Sequence, residues 1–382
     1  MTVQILTGAQ VFDGTRLLEG HAVAIAAGRI VRLAPDDPGL PGTRIMLDGG
    51  ILAPGLIDLQ VNGGGGVMVD GATDAAVLRR ICAVHLGLGA TGLLPTLITD
   101  TAEATRTVIA AGIAAARAQT PGFLGLHLEG PHLDPRRKGA HDAGLIRPMT
   151  GDDLAALCDA ARNLPALMVT VAPESTTPAQ IAALARAGVV VSLGHSDCSH
   201  EVARAAFAAG AVCVTHLFNA MSPLGSREPG LVGAALEGAC AAGVIADGVH
   251  VSPATLRIAW AAKPEGMFLV TDSMGFAGTD LAEMTLNGRT LRRAKGRLTL
   301  QDGTLAGADL TLPQALRVMV QQVGVPPGVA LAMATSVPAG VIGAGDRCGH
   351  LAAGRVADLV HLDADWQLRA VWRDGLRQGI GG

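Results

Sequence analysis

Short apolar runs alternate with longer amphipathic stretches through the central part of the chain, from Pro54 to about Ala344. Each run is almost continuously apolar, which is typical of strands in a parallel sheet that is covered on both faces. The stretches between the runs, such as DAAVLRRICAVHLGLG and TPAQIAALARAG, have the spacing of amphipathic helices. We count eight apolar runs: LIDLQV, GLLPTLI, FLGLHLE, LMVTVAPE, VVVSLGH, CVTHLF, AGVIADG and MFLVTD.

Eight strand–helix units over about 290 residues predict a (β/α)8 TIM-type barrel, an α/β fold for which about 250 residues is typical. A doubly wound open sheet is the competing architecture, because it shows the same alternation of strands and helices. After the eighth run, the segment MTLNGRTLRRAKGRLTLQDGTL, residues 284–305, resembles a hairpin inserted into the barrel.

The two ends of the chain have a different pattern. Short β-type segments broken by Gly, Asp and Pro fill the first 50 or so residues, and two alternating runs joined by a turn fill the tail. Neither end is large enough to bury a sheet alone, so we expect the two to pair. The predicted organisation is a small β-rich domain from residues 1–53 and 345–382, and a barrel domain from residues 54–344.

Composition narrows the class of protein. The chain has 382 residues, of which 49% are hydrophobic and 16% charged, enough to bury a large core. A formal net charge of -4 and the absence of tyrosine disfavour a nucleic-acid partner. No run of 18 apolar residues and no signal-peptide pattern is present, so no membrane association is expected. Six cysteines without a CxxC pair fit a reducing, cytoplasmic location.

Polar residues stand at the carboxyl ends of the predicted strands, where a barrel builds its active site. They are Gln60, Thr96, Glu129, Glu174, His195, His216, Asp247 with His250 close behind, and Asp272. A carboxylate and two imidazoles make a zinc-type ligand set that leaves room for water. A divalent cation would also stabilise a buried carboxylate, which is costly when unpaired.

Each of these residues alone has a simpler explanation. A single histidine at a strand end is more often a hydrogen-bonded structural residue, Glu129 alone could cap a helix, and Asp272 could cap the next turn. The joint placement of two histidines and two carboxylates on strands three, five, six and eight favours one shared site.

Eight motifs, in the same order and over nearly the whole chain, resemble the N-acetylglucosamine-6-phosphate deacetylases of the amidohydrolase superfamily. The most specific are THLFNAM, with GSREPG shortly after it, and ADGVHV. The others are PGLIDLQVNGGGG, HLEGPHLDPRRKGAH, APE, GHSD, VTDSM and LAGADLTL. This resemblance implies a metal-dependent barrel with a small β-sandwich domain made from both termini, in agreement with the division above.

The resemblance also implies roles for particular residues. It makes Glu129, His195 and His216 the metal ligands and Asp272 the catalytic acid and base. It implies that His141 and His250 contact the substrate, and that Asn219 and the backbone around Ala220 hold the sugar phosphate. Leu305, Ala306 and Gly307 match the segment that closes over the sugar. Arg227 is implied to reach the phosphate in a neighbouring subunit, which predicts a homodimer.

The first strand bears on the number of metal ions. Many amidohydrolases have His-x-His at its end, whereas this chain has Gln60 and Asn62. Because neutral amides are poorer ligands than imidazoles for such ions, we expect one tightly held metal per subunit and a Gln60 that hydrogen-bonds a water. Two-metal occupancy at high metal concentration stays open. Zinc is the first choice, while Fe, Co and Mn accept the same ligand set.

The reaction that the resemblance implies is hydrolysis of the N-acetyl group of N-acetylglucosamine 6-phosphate, giving glucosamine 6-phosphate and acetate. In this scheme Asp272 moves the proton and His141 polarises the acetyl carbonyl. One alternative is a related amidohydrolase acting on N-acetylgalactosamine 6-phosphate or on an N-acyl amino acid. Another, of a different class, is a non-catalytic barrel that works by association.

Overall fold

All eight apolar runs form strands, and they lie side by side in chain order in one parallel sheet. The computed structural model describes residues 3–380. The first and eighth strands of the sheet meet at their carboxyl ends through a parallel bridge between Val61 and Ser273. Asn62 N–H donates to the Ser273 carbonyl over 2.8 Å, and Asp272 N–H donates to the Gln60 carbonyl over 3.0 Å. The sheet is therefore a (β/α)8 barrel, as predicted, and the open-sheet alternative is wrong.

Residues 3–380 form 24 strands, numbered along the chain. They are β1 (Gln4–Thr7), β2 (Gln10–Phe12), β3 (Leu17–Leu18), β4 (His21–Ala26), β5 (Arg29–Pro35), β6 (Thr43–Met46), β7 (Ile51–Pro54), β8 (Leu56–Val61), β9 (Gly63–Gly64), β10 (Val67–Met68), β11 (Ala90–Ile98), β12 (Leu126–Glu129), β13 (Leu167–Val171), β14 (Val190–Leu193), β15 (Cys213–Val214), β16 (Ala241–Val244), β17 (Met267–Leu269), β18 (Glu283–Leu286), β19 (Arg289–Ala294), β20 (Arg297–Leu300), β21 (Leu305–Ala308), β22 (Leu359–Leu362), β23 (Leu368–Arg373) and β24 (Leu376–Gln378). The barrel consists of β8 and β11 to β17.

Helices follow the barrel strands and cover the outside of the sheet. They are α1 (Ala75–Gly87), α2 (Ala102–Arg117), α3 (Gly151–Asn163), α4 (Pro178–Arg186), α5 (His200–Ala209), α6 (Gly230–Glu237), α7 (Pro253–Ala262), α8 (Leu312–Arg317), α9 (Pro327–Met333) and α10 (Ser336–Val341). Side-chain caps begin most of them, because a Ser, Thr or Asp oxygen accepts a hydrogen bond from a free N–H of the first turn. At α3 and α4 the caps Thr150 and Thr177 form reciprocal capping boxes with Asp153 and Gln180.

The two chain ends pair, as the sequence predicted. The C-terminal strand β22 lies antiparallel to the N-terminal strand β7, with Val360 opposite Ala53. Together with β2, β3, β23 and β24 they form a six-stranded sheet. A second sheet, of four strands, contains β1 and β4 to β6, and Val23, Ile30 and Trp372 are in the core shared by the two sheets. The boundaries at residues 54 and 344 stay a prediction.

The insertion after the eighth strand is larger than the hairpin that the sequence predicted. Strands β18 to β21 form a four-stranded antiparallel sheet over residues 283–308, with its own core around Phe276, Leu291 and Leu298. The difference arises at β21, where the small residues of LAGA pair with β20. Along residues 3–380, none of the helices combines the length and the apolar composition that crossing a bilayer requires.

Candidate metal centre and active site

Three side chains predicted to share a metal converge at the carboxyl end of the barrel. Glu129 is the last residue of β12, while His195 and His216 each stand two residues beyond their strands, β14 and β15. The His216 Nε2 atom lies 3.0 Å from Glu129 Oε1 and 3.1 Å from His195 Nε2, and His195 Nε2 lies 3.2 Å from the same oxygen. Ligand atoms around a tetrahedral zinc ion are about 3.3 Å apart, so this triangle fits such a cation.

The hydrogen bonds of His195 leave the correct nitrogen free for a metal. Its Nδ1–H donates to the Arg137 carbonyl oxygen over 2.8 Å, which places the lone pair on Nε2, the atom that faces Glu129. His216 also turns Nε2 toward the cluster, and its buried Nδ1 has no hydrogen-bond partner among the described residues. Both imidazoles therefore present a ligand nitrogen to one point.

The charge of Glu129 is balanced within this cluster. Burial opposes ionisation, but the hydrogen bonds to His195 and His216 outweigh it and hold the pKa of the carboxyl well below its usual range. For His216, burial lowers the pKa, yet the Glu129 carboxylate reverses this and raises it. A buried carboxylate that must be matched by positive charge is the electrostatic setting that a divalent cation fits.

His141 completes a second combination of possible ligand atoms, since one atom each from Glu129, His141 and His195 lie within 4.8 Å of one another. Its environment differs from that of the other two histidines. The Nδ1 atom accepts a hydrogen bond from Thr99 N–H over 3.2 Å, so the neutral ring carries its proton on Nε2, 3.9 Å from Glu129 Oε2. A protonated nitrogen is a donor and not a metal ligand, which favours His216 as the third ligand.

Asp272 lies beside the cluster, three residues beyond β17. Its Oδ1 accepts hydrogen bonds from Asn62 Nδ2 over 2.7 Å and from Gln60 Nε2 over 3.1 Å. The same Gln60 nitrogen lies 3.2 Å from both oxygens of Glu129, so it contacts the two carboxylates directly. Desolvation, assisted by the negative charge of Glu129, raises the pKa of Asp272 to about 6. A carboxyl group with such a pKa can exchange protons near neutral pH.

These side chains face a cavity of about 280 Å³ at the barrel mouth. The predicted residues that line it are Glu129, His141, His195, His216, Asn219, Ala220, His250, Asp272, Leu305 and Gly307. His250 Nδ1 is held by Asp247 Oδ2 over 2.6 Å, which points the rest of the ring toward the cavity. The insertion contributes Leu286 and Thr304 to the wall, so β18 to β21 partly enclose the space.

Several residues that the sequence singled out do not line the cavity. Ala306 is buried in the core of the insertion, and Arg227 is exposed on the loop before α6. Thr96 points into the barrel, where its Oγ1 accepts a hydrogen bond from Val61 N–H. Glu174 instead accepts a hydrogen bond from Ser196 Oγ over 2.8 Å. A polar residue at a strand end therefore joins the site only if its side chain faces the barrel axis at the level of the cavity.

The basic segment before His141 is neutralised by carboxylates. Arg136 lies 2.6 Å from Asp134 and 3.3 Å from both Glu174 and Asp197. Arg137 pairs with Asp197 at 2.6 Å. These ion pairs occupy both guanidinium groups, so the segment is a structural support for the His195 and His141 loops.

Sequence patterns did not identify three residues that contact the site. Asn62 was noted for not being a histidine, but its hydrogen bond to Asp272 was not predicted. Thr99 follows β11 and binds the His141 ring, and Arg289 of β19 donates to the Ala140 carbonyl over 2.5 Å. The TLITD strand end offered a signal for Thr99, whereas no local pattern connects Arg289 with residues about 150 positions earlier.

A parallel barrel with Glu, two His and an Asp at its carboxyl edge defines a metal-dependent hydrolase. A family model described as the amidohydrolase family matches residues 51–378, and the chain therefore belongs to this family. Similar proteins include the N-acetylgalactosamine-6-phosphate deacetylase of Shewanella sp., 38% identical over 97% of this chain and 95% of that protein. The N-acetylglucosamine-6-phosphate deacetylase of Haemophilus influenzae is 36% identical over 85% of each.

Among solved structures, the chain is similar to an N-acetyl-D-glucosamine-6-phosphate deacetylase from Mycobacterium smegmatis, a mutant in complex with N-acetyl-D-glucosamine-6-phosphate. The TM-score is 0.92, at 34% sequence identity and 99% coverage of both chains. The resemblance read from the eight sequence motifs is thereby confirmed at the level of the family.

Proposed function

We propose that this enzyme removes the N-acetyl group of N-acetylglucosamine 6-phosphate, giving glucosamine 6-phosphate and acetate. The observation that carries the proposal is the meeting of Glu129, His195, His216, Asp272 and His141 around one cavity of about 280 Å³. The chain belongs to the amidohydrolase family and retains all five of these residues. It is therefore a hydrolase, and the alternative of a non-catalytic barrel is set aside.

In this proposal Glu129, His195 and His216 hold one divalent cation, with zinc as the first choice. When bound, such an ion supplies Lewis acidity and makes a water nucleophilic near neutral pH. The remaining steps belong to the side chains of the protein. Gln60 is placed to orient the carboxylates of Glu129 and Asp272 through its amide nitrogen, and its hydrogen bond to a water stays a prediction.

Asp272 transfers the proton. As a carboxylate it accepts a proton from the attacking water, and as a carboxylic acid it delivers that proton to the departing amide nitrogen. The hydrogen bond from Asn62 to Oδ1 leaves the second oxygen, Oδ2, for this transfer. A pKa of about 6 keeps both protonation states accessible during a catalytic cycle.

His141 binds the acetyl carbonyl oxygen and stabilises the negative charge that develops on it. Burial, with a contribution from the nearby His195, lowers the pKa of His141 to about 3, so the ring acts as a neutral donor. We assign contact with the sugar to His250 and the segment Leu305–Gly307, in which Ala306 supports the turn from the core. Asn219 and the backbone at Ala220 are assigned to the phosphate end.

N-acetylgalactosamine 6-phosphate is a second candidate substrate, favoured by the 38% identity to a deacetylase of that name. The two sugars differ only in the configuration of one hydroxyl group, which the residues named above do not discriminate by charge. An N-acyl amino acid is less suited, since it lacks the phosphate that Asn219, Ala220 and Arg227 would bind.

Two further parts of the proposal concern the assembly and its surroundings. Arg227 is exposed and lies outside the cavity of its own subunit, which supports a homodimer in which it reaches the neighbouring site. All six cysteines are free, which supports a reducing cytoplasmic location.

Acetate release by the purified, metal-loaded enzyme tests the proposed reaction on both sugar phosphates and on N-acetylglycine. We expect hydrolysis of N-acetylglucosamine 6-phosphate, its loss with a chelator and its return with zinc. The matched control is N-acetylglucosamine without phosphate, which should have a much higher KM. Preference for the galacto epimer would replace the leading substrate, and release from N-acetylglycine alone would refute the proposal.

A further inference from the structure

Within residues 3–380, the hydrogen bonds to the His141 ring come from one neighbour, Thr99. Its Nδ1 atom lies 2.7 Å from Thr99 Oγ1 and 3.2 Å from the Thr99 backbone nitrogen. Both residues are buried, with exposed fractions of 4% for His141 and 1% for Thr99, so water does not compete for these contacts. One side of the imidazole is therefore bound by one residue through two different atoms.

The backbone contact determines which ring nitrogen carries the proton. A backbone N–H can only donate, so the Nδ1 atom that it faces must offer a lone pair. The Thr99 hydroxyl, which could donate or accept, is then required to donate to the same lone pair. Two donors at Nδ1 place the proton of the neutral ring on Nε2, the atom that faces Glu129 and the cavity.

Thr99 itself occupies a fixed position. It directly follows β11, the longest strand of the barrel, and α2 begins three residues later with Thr101 as its cap. Gly130 packs against it with a φ of +92°, and a Cβ atom at Gly130 would overlap Thr99 Oγ1. A side chain is thus excluded at residue 130, which keeps the space that the threonine hydroxyl needs beside His141.

We propose that Thr99 is a positioning residue that holds His141 as the Nε2–H tautomer, so that the ring donates a hydrogen bond into the cavity. The chemical consequence rests on the function proposed above, in which His141 donates to the acetyl carbonyl oxygen of the substrate. With the opposite tautomer, an Nε2 lone pair would face that oxygen and repel it.

The same arrangement also separates His141 from the metal ligands. His195 donates from Nδ1 to a carbonyl and so has its lone pair on Nε2, whereas His141 accepts at Nδ1 and carries a hydrogen on Nε2. Two histidines whose ring centroids are only 4.3 Å apart are therefore given opposite chemical roles by the groups behind them. Loss of the Thr99 hydroxyl would weaken this distinction.

Nuclear magnetic resonance of the zinc-loaded enzyme with 15N-labelled histidine tests the tautomer without any substrate. Long-range 1H–15N correlations distinguish the protonated ring nitrogen from the other, and the signal that disappears in His141→Gln identifies the residue. We expect a proton on Nε2 at neutral pH. A proton on Nδ1 would overturn the proposal whatever the enzyme hydrolyses.

Kinetics of two variants test the effect of Thr99 on catalysis. Thr99→Val has nearly the same shape but lacks the hydroxyl, and we expect kcat to fall roughly 3- to 10-fold, the range for one lost hydrogen bond. Its KM for the sugar phosphate and its zinc content should be nearly unchanged. Thr99→Ser retains the hydroxyl and should restore most of kcat.

Thr99→Ser lacks the methyl group and Thr99→Val lacks the hydroxyl. An equal loss of kcat in both variants would contradict the proposal, because it would show that Thr99 acts through packing and not through its hydroxyl. An unchanged kcat in Thr99→Val would contradict it too, whereas the backbone N–H that this variant retains should keep the proton on Nε2. If the wild-type enzyme hydrolyses neither sugar, the proposed function fails, while the resonance measurement still decides the tautomer.

Discussion

Backbone conformations at the metal site aim its side chains into the cavity. His195, His216 and Asp272 have positive φ values of 47°, 31° and 50°, as does Ala220 with 51°. A non-glycine residue in this region costs about 1–3 kcal/mol and persists only where the surrounding structure imposes it. Here the imposing structure is the barrel edge, because His195, His216 and Asp272 lie two or three residues beyond the ends of their strands, and Ala220 lies in the loop that follows His216.

The first prediction at the residue scale concerns proton transfer. Asp272→Asn keeps the size of the side chain but cannot exchange a proton, so we expect kcat to fall about 10²- to 10⁴-fold. The zinc content should stay near that of the wild type, since the proposed ligands are other residues. Acetate release and metal analysis measure the two effects, and Asp280→Asn, exposed in the same segment, is the matched control. A variant that retains more than half of kcat would exclude Asp272 as the acid and base.

The second residue-scale prediction concerns stability and pH. His85 is buried in α1 and its Nε2–H donates to the Gly63 carbonyl over 2.9 Å. Burial lowers the pKa of His85 to about 4, whereas the unfolded chain binds this proton below its ordinary pKa of 6.5. The unfolded state is therefore favoured as the pH falls from 6.5 toward 4, and the free energy of unfolding decreases over that window.

His85→Gln removes this titration and keeps an amide donor for Gly63. We expect the pH dependence of the free energy of unfolding between pH 4 and 6.5 to decrease by up to ~1.4 kcal/mol per pH unit. Urea unfolding at several pH values measures it. Identical slopes for both proteins would show that His85 does not stay neutral in the folded state.

At the scale of elements, the inserted sheet contacts the loop that carries His141 as well as covering the cavity. Arg289 of β19 donates to the carbonyl of Ala140, the residue before His141. The wall residue Leu286 belongs to the adjacent strand β18. The sheet β18–β21, which follows the eighth barrel strand, therefore holds the His141 loop, which follows the third barrel strand.

Arg289→Ala should loosen the His141 loop and lower kcat/KM for the sugar phosphate by roughly 3- to 10-fold, as expected for one lost hydrogen bond. The control is Arg292→Ala on the same strand, because Arg292 forms a surface ion pair with the exposed Glu283. Steady-state kinetics of both variants decide the point. Equal values for the two would show that the contact with Ala140 does not support catalysis.

At the scale of the whole molecule, Arg227 distinguishes a site made by one subunit from a site made by two. Arg227→Ala should raise KM for the phosphorylated sugar selectively, because a planar guanidinium pairs with phosphate oxygens. Arg32→Ala, exposed on β5 of the terminal sheets, is the control and should leave KM unchanged.

Co-expression of Arg227→Ala with Asp272→Asn sharpens this test. In a randomly mixed dimer population, half of the molecules are hybrids with one complete site of two, so we expect about a quarter of the wild-type activity at low substrate concentration. Either variant alone should be far less active. If the co-expressed mixture is no more active than the two single variants together, Arg227 acts in the site of its own subunit.

The fold was predictable from the sequence because its signals are local. Runs such as LIDLQV are apolar throughout because both faces of a barrel strand are buried, and the short segments broken by Gly, Asp and Pro marked the two chain ends as β structure. The residue types at the strand ends, including Glu129 and His195, followed from the same pattern. The insertion was underestimated because LAGA, which forms β21, is too small and too short to show strand periodicity.

The tertiary structure decided which strand-end residues share the cavity and what each ring nitrogen does. Glu129 and Glu174 both follow apolar runs in the sequence, but only Glu129 faces His195 and His216. The position of each strand along the barrel axis determines the direction of the side chains at its end. The difference between His141 and His195 arises from Thr99 N–H and the Arg137 carbonyl, which lie 42 and 58 residues away along the chain. Hydrogen bonds over such distances depend on packing, so no local pattern of residues encodes them.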